Sequence, residues 1–221
     1  MNTLPTEIII SRAAWTTQTL EDDSTWIRQW SEDELVELRG AVHGLRNQEK
    51  LAFEFVAEDF KLPTLASVLS SLRQEVDHGR GVLMLRGIKP GEFNRDELDI
   101  LYAGIGLHLG HPITQNSAGA RLVEVRDRGT DYGRSNVRGH TSNGAIAPHC
   151  DSSDVVGLLC INAARAGGES QVASAIMVFN LMLRERPELA PVLARGFNIN
   201  LAGKGPTGQL EECTRHRVPI F

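Results

Sequence analysis

The chain predicts an α+β fold, helical over residues 1–80 and richer in strands over residues 81–221. Three observations carry that expectation. Leu35, Leu38, Val42 and Leu45 recur at helical spacing behind Ser31-Glu32-Asp33-Glu34. The period then changes at Gly81-Val82-Leu83-Met84-Leu85-Arg86-Gly87, a short apolar run bracketed by glycines. Further on, Arg121-Leu122-Val123-Glu124-Val125-Arg126 alternates polar and apolar, as a strand with one wet face does.

The elements follow in order. Ser31 and Glu34 have the spacing of a capping box, in which the Ser31 hydroxyl accepts from the Glu34 N–H and the Glu34 carboxylate reaches back. A second helix is expected from Thr64, with Leu65, Val68, Leu69, Leu72 and Val76 on one face and Gly79 as a left-handed stop. Gly81–Gly87 suits a buried strand. Asn94 and Glu97 signal another helix, carried by Leu98, Leu101, Ile105 and Leu109, and Pro112 closes that possibility. From Asp127 to Ala145 the chain is glycine-rich and polar, and a loop of that length inside a domain commonly lids a site. Val155–Ile161 reads as a buried strand, Ala166-Gly167-Gly168-Glu169 as a turn and Ser170–Ala173 as a short returning strand. A helix is expected from Ala175, with Pro187 opening its second half at the first helical position. No repeat or linker interrupts the chain, so residues 1–221 are expected to form a single domain.

Composition excludes several functions. The chain has 221 residues, 41% of them hydrophobic, enough for one sizeable core. A formal charge of −5 offers no broad basic surface, so nucleic acid is not an expected partner. Three cysteines at wide spacing, Cys150, Cys160 and Cys213, do not make a disulfide framework and fit a reducing compartment. No apolar run approaches a membrane span and no secretory leader is evident at Met1-Asn2-Thr3-Leu4-Pro5, so the expectation is a cytoplasmic protein without membrane contact.

Chemistry concentrates at His149-Cys150-Asp151. On a strand, residues two apart aim at one face, and a ferrous ion that must leave positions open for other ligands takes two imidazoles and one carboxylate on one face. Two of those three donors are here. With seven histidines and 28 acidic residues, about one His-x-Asp/Glu match arises by chance. The plainer reading is a hydrogen-bonded histidine at a loop end, with Asp151, Ser152, Ser153 and Asp154 continuing a solvated turn. Cys150 reads as a small buried residue facing away from the pair.

Longer stretches bear on that choice. His149–Leu159, Gly167-Gly168-Glu169-Ser170, Phe179-Asn180 and Arg186-Pro187-Glu188-Leu189 together resemble the core of the taurine dioxygenase-like (TauD/TfdA) family of iron(II), 2-oxoglutarate-dependent oxygenases. Gly81–Gly87 and Leu109-Gly110-His111-Pro112-Ile113-Thr114-Gln115 resemble its strand-and-loop pattern. The resemblance implies a double-stranded β-helix, or jelly roll, with flanking helices, of the clavaminate synthase-like kind. It implies His149 and Asp151 as ligands of Fe(II), Ser170 as a contact to the co-substrate 2-oxoglutarate, and His111 and Gln115 as substrate-facing residues. It also implies a reaction in which O2 and 2-oxoglutarate oxidise a small organic molecule, releasing succinate and carbon dioxide.

The resemblance also implies a second imidazole on a later strand, followed by an arginine that pairs with the distal carboxylate of 2-oxoglutarate. Downstream of His149 stands His216, which reads instead as a surface histidine between Arg215 and Arg217. The similarity places Thr214–Phe221 ahead of the distal histidine. The expectation is therefore a family domain incomplete at its C-terminal side, with an open sheet edge for an oligomer partner or a complementing chain. The alternative is a catalytically inactive remnant that acts as a binding or assembly partner. His43, His78, His108 and His140 read as ordinary helix or loop residues.

Overall fold

The capping box expected at Ser31 and Glu34 forms in full, and the helix signalled by Asn94 and Glu97 opens with a second one. The computed structural model describes residues 6–116, 118–129, 141–151, 153–201 and 205–221. Helix α1 spans Thr17–Asp22, a 3-10 turn follows at Ser24–Trp26, and strand β1 is Ile27–Gln29. Ser31 Oγ accepts from the Glu34 N–H at 3.2 Å while the Glu34 carboxylate accepts from the Ser31 N–H at 2.9 Å, and α2 runs Glu32–Arg46. Asn94 and Glu97 exchange the same pair of bonds at 3.0 and 2.8 Å, and α4 runs Arg95–Leu109. In each case two N–H groups that the helix leaves unpaired are satisfied, and acidic side chains sit at its positive end.

Helix α3, Leu65–His78, starts where expected but is capped from elsewhere. Thr64 makes no cap of its own. Glu37 on α2 instead accepts from the N–H groups of Thr64 and Leu65, each at 2.9 Å, and from the Thr64 hydroxyl. The left-handed stop predicted at Gly79 is also corrected. Gly79 has φ −99°, and the positive φ falls at Gly81, at 79°. What Gly79 supplies is room, because a Cβ there would lie 2.7 Å from the Glu75 carbonyl oxygen.

The chain divides into two compact units, one made of Thr17–Ile113 with Asp151–Glu169 and the other of Met1–Thr16, Thr114–Cys150 and Ser170–Phe221. The first unit holds the main core, where Leu38, Val42 and Leu45 of α2 meet Leu65 and Leu69 of α3, with Ile100 and Leu101 of α4. Phe60 lies wholly buried beneath α4. Strand β2, Met84–Arg86, pairs in parallel with β1, Ile27 opposite Met84 and Gln29 opposite Arg86, a partner that the sequence reading did not foresee. The predicted buried strand over Gly81–Gly87 is thus shorter and half-covered. Leu85 packs on the core while Met84 and Arg86 face outward, because β1 is too short to pair more of it.

The other expected strands do not form among the described residues. Arg121–Arg126, Val155–Ile161 and Ser170–Ala173 are irregular, and Leu158 is 71% exposed. A strand needs a neighbour to take up its N–H and C=O groups, and among the described residues no neighbouring strand runs beside these segments. The turn at Gly167 and Gly168 does form, with φ of 68° and 80°. Of the predicted lid, residues 130–140 lie outside the described residues. Its flanks are tied by the Arg128 N–H donating to the Thr141 carbonyl at 2.9 Å.

In the second unit, α5 spans Ala175–Glu185, and the Ser174 hydroxyl accepts from the Met177 N–H at 2.8 Å. Pro187 opens a 3-10 turn, Pro187–Leu189, and α6 follows at Ala190–Arg195, as the proline predicted. Phe179 is the buried centre, its ring 5.1 Å from that of Phe221. Asn180 clasps an extended N-terminal stretch, accepting from the Ile9 N–H and donating to the Ile9 carbonyl, both at 2.8 Å. Two antiparallel bridges, Phe197 with Val218 and Asn200 with Cys213, tie the last residues back. No helix among the described residues is long and apolar enough to cross a membrane.

Candidate functional site

His149 ends an irregular stretch and is solvent-exposed, as are Cys150 and Asp151. Its Nδ1 lies 2.9 Å from the Ala147 carbonyl oxygen. A carbonyl only accepts, so Nδ1 carries the hydrogen in this contact. Metal-binding histidines commonly have their rings oriented by a backbone carbonyl in the same way. It also matches the plainer expectation of a hydrogen-bonded histidine at a loop end. Cys150, expected to be buried, is exposed, because the residues around it form no strand to turn its side chain inward.

The boundary between the two compact units falls between Cys150 and Asp151, so His149 is described with one unit and Asp151 with the other. An imidazole and a carboxylate are suitable donors for a divalent iron ion. Among the described residues, however, no group of three or more His, Cys, Asp and Glu side chains is gathered where it could hold a metal. His149 and Asp151 are thus of suitable donor type, and among the described residues no set of three donors is gathered.

The remaining candidates stand apart. Ser170 is exposed and starts no strand. His111 is exposed just past the end of α4. Gln115 is half-buried at the base of a small loop, its N–H donating to the Ala120 carbonyl at 2.6 Å, and Asn116 Oδ1 holds that loop by accepting from the N–H groups of Ala118 and Ala120. His216 lies where Thr214–Arg217 bulge between the two antiparallel bridges, and its carbonyl accepts from the Thr214 hydroxyl at 2.7 Å.

One relationship near the motif escaped the sequence reading. The hydroxyl of Tyr102, on α4, donates to the carbonyl of Gly157, and burial pushes the Tyr102 phenol above its ordinary value, so it keeps its proton. Both halves carried a signal. A tyrosine among apolar helix residues needs a partner for its hydroxyl, and a glycine inside an apolar run marks close approach of another group.

Comparison with known proteins bears on this region directly. Residues 47–219, which include His149 and Asp151, match the family described as taurine catabolism dioxygenase TauD, TfdA family. The chain is 31% identical over 216 residues to the FR-33289 synthase of Streptomyces rubellomurinus, covering 96% of this chain and 62% of that protein. It is 26% identical over 187 residues to a taurine hydroxylase-like protein of Stachybotrys chartarum, covering 81% of this chain and 49% of that one. The chain therefore spans half to three-fifths of the length of these two relatives.

Proposed function

This chain belongs to the taurine catabolism dioxygenase TauD, TfdA family, and from that membership we propose that it serves as an Fe(II)- and 2-oxoglutarate-dependent dioxygenase acting on a small organic molecule. The observation that carries the proposal is the family match across residues 47–219, which brings His149 and Asp151 inside the matched region. The Nδ1 contact of His149 with the Ala147 carbonyl supports it, since a backbone carbonyl commonly orients a metal-binding imidazole in this way.

In this reading His149 and Asp151 contribute an imidazole and a carboxylate, and Ser170 gives a hydroxyl to the co-substrate carboxylate. Substrate-facing roles for His111 and Gln115 belong to the same proposal, as do a single jelly-roll domain and a cytoplasmic location. The third metal donor and the cation for the distal carboxylate of 2-oxoglutarate come from outside the described residues. When bound, iron and 2-oxoglutarate would let O2 oxidise a substrate C–H bond, one oxygen atom going to the substrate and the other to the succinate formed as the keto acid loses carbon dioxide. The chain's own part is to orient the donors and to hold the substrate.

The test is succinate formation from 2-oxoglutarate with Fe(II) and ascorbate. Turnover lost in both His149→Ala and Asp151→Ala supports the assignment. Turnover surviving in either variant removes that residue from the ligand set.

A second reading, assembly or binding without catalysis, is favoured by one specific feature. Val155, Val156 and Leu158 stand exposed in sequence just after the motif, an apolar stretch available to an oligomer partner or a complementing chain. Light scattering separates monomer from assembly. Unchanged association in a His149→Ala, Asp151→Ala double variant that makes no succinate would favour this reading.

A further inference from the structure

We propose that Tyr102 is a positioning residue: from α4 its hydroxyl clasps the carbonyl of Gly157 and fixes the stretch that leads away from Asp151. The proposal rests on reading Asp151 as a functional carboxylate. Tyr102, Gly157 and Asp151 all lie in the same compact unit.

The anchor is rigid. Helix α4 is closed at its start by the Asn94–Glu97 box, and Leu101 and Ala103 on either side of Tyr102 are buried in the core. The anchored stretch has little else to hold it. Val155, Val156 and Leu158 are exposed, so apolar burial contributes little to its placement. Among the described residues, the bond from Tyr102 is the one hydrogen bond that reaches residues 153–169. A lone tether between a packed helix and an otherwise unpaired segment decides where that segment sits.

Gly157 is fitted to the contact. A Cβ at this position would lie 2.8 Å from the Tyr102 hydroxyl oxygen and 3.5 Å from Cζ, so the missing side chain is what lets the carbonyl come within reach. Gly157 is not among the positive-φ glycines, so close approach and not backbone freedom explains the residue. The raised phenol adds that the donor stays protonated across the neutral range.

The experiment is backbone 15N relaxation on the full chain, read residue by residue. Tyr102→Phe keeps the ring and removes the donor, so order parameters over residues 153–161 should fall below about 0.6 while those of α2 and α3 stay near about 0.85. Gly157→Ala should loosen the same residues by forcing its methyl against the hydroxyl. The double variant should be no looser than Gly157→Ala alone, because without the hydroxyl the methyl meets the ring only at ordinary contact distance. A merely structural role predicts additive losses that spread into α3 and α4, and that result overturns the proposal, as do unchanged order parameters over 153–161 in Tyr102→Phe.

Cobalt(II) titration followed by visible absorbance tests the link to Asp151. Weaker binding in Tyr102→Phe, with binding lost in Asp151→Ala, supports positioning. Full cobalt affinity in Tyr102→Phe while Asp151→Ala loses it overturns positioning. Cobalt binding that ignores Asp151→Ala sinks the reading of Asp151 instead, and the relaxation result then decides the clasp by itself.

Discussion

The carboxylate of Glu37 on α2 takes up the start of α3 through Thr64, accepting from its N–H at 2.9 Å and from its hydroxyl, and it accepts from the Leu65 N–H as well. Burial pushes the Glu37 carboxyl up, but donation from Leu65 and from both groups of Thr64 outweighs it and holds it below the ordinary carboxylate range. A lowered carboxyl stabilises the fold above its unfolded value, and the contribution is lost as pH falls through the folded one. Glu37→Gln should therefore cost about 1 kcal/mol near neutral pH. The gap between variant and parent in urea unfolding should close as the pH falls from the ordinary carboxylate range through the lowered value of Glu37. A gap that stays constant into acid would show that the charge of Glu37 contributes nothing.

Gly104 on α4 faces Phe60 at close range, and a Cβ there would lie 2.5 Å from Phe60 Cγ. Alanine favours a helix over glycine by about 1 kcal/mol, whereas overpacking a filled core costs about 1–3 kcal/mol. Phe60 is fully buried and has no room to retreat, so the clash wins. Gly104→Ala should lower the melting temperature, and Phe60→Leu in the same chain should recover part of the loss. Thermal unfolding of both single variants and the double gives the coupling.

Arg80 is 6% exposed and ion-paired with Asp23, which is 47% exposed, with Glu75 at 3.9 Å. Removing the partner of a buried charge strands it, whereas the half-exposed Asp23 can return to water when Arg80 is replaced. Asp23→Ala should thus destabilise by about 1–2 kcal/mol, less than a wholly buried pair because of exposure and of Glu75. Arg80→Met should cost less than Asp23→Ala. The reverse order in denaturant unfolding would place the weight on Arg80 packing instead of its charge.

Asn180, buried on α5, satisfies both backbone groups of Ile9, and the Ser174 hydroxyl donates to the Ala13 carbonyl. Asn180→Ala leaves the Ile9 N–H and C=O without those partners, at a local cost of about 2 kcal/mol. Protease cleavage within residues 6–16 should become faster while cleavage elsewhere keeps its rate. Cleavage at the parental rate would mean that the two Asn180 bonds do not retain the segment.

Legibility in the sequence followed range. The Ser31–Glu34 and Asn94–Glu97 boxes and the Pro187 start involve residues within one helical turn, and all three formed as read. Strand β1, Ile27–Gln29, went unseen because it is three residues long and exists through pairing with distant Met84–Arg86. Val155–Ile161 had the composition of a buried strand, yet composition supplies no partner, and among the described residues the stretch remains irregular. At the candidate site the motif was legible and its surroundings were not. His149-Cys150-Asp151 could be read as a pair of donors, but the Ala147 carbonyl that orders the His149 ring depends on local backbone conformation.

By itself, then, the sequence determined the family and the helix starts, since each is written in side chains close together or in an ordered series of motifs. Tertiary structure decided that Glu37 caps α3, that Gly79 is a matter of space and not of hand, and that Tyr102 holds Gly157. Those contacts join residues far apart along the chain, and only folding, which brings them within hydrogen-bonding reach, gives the residue types their roles.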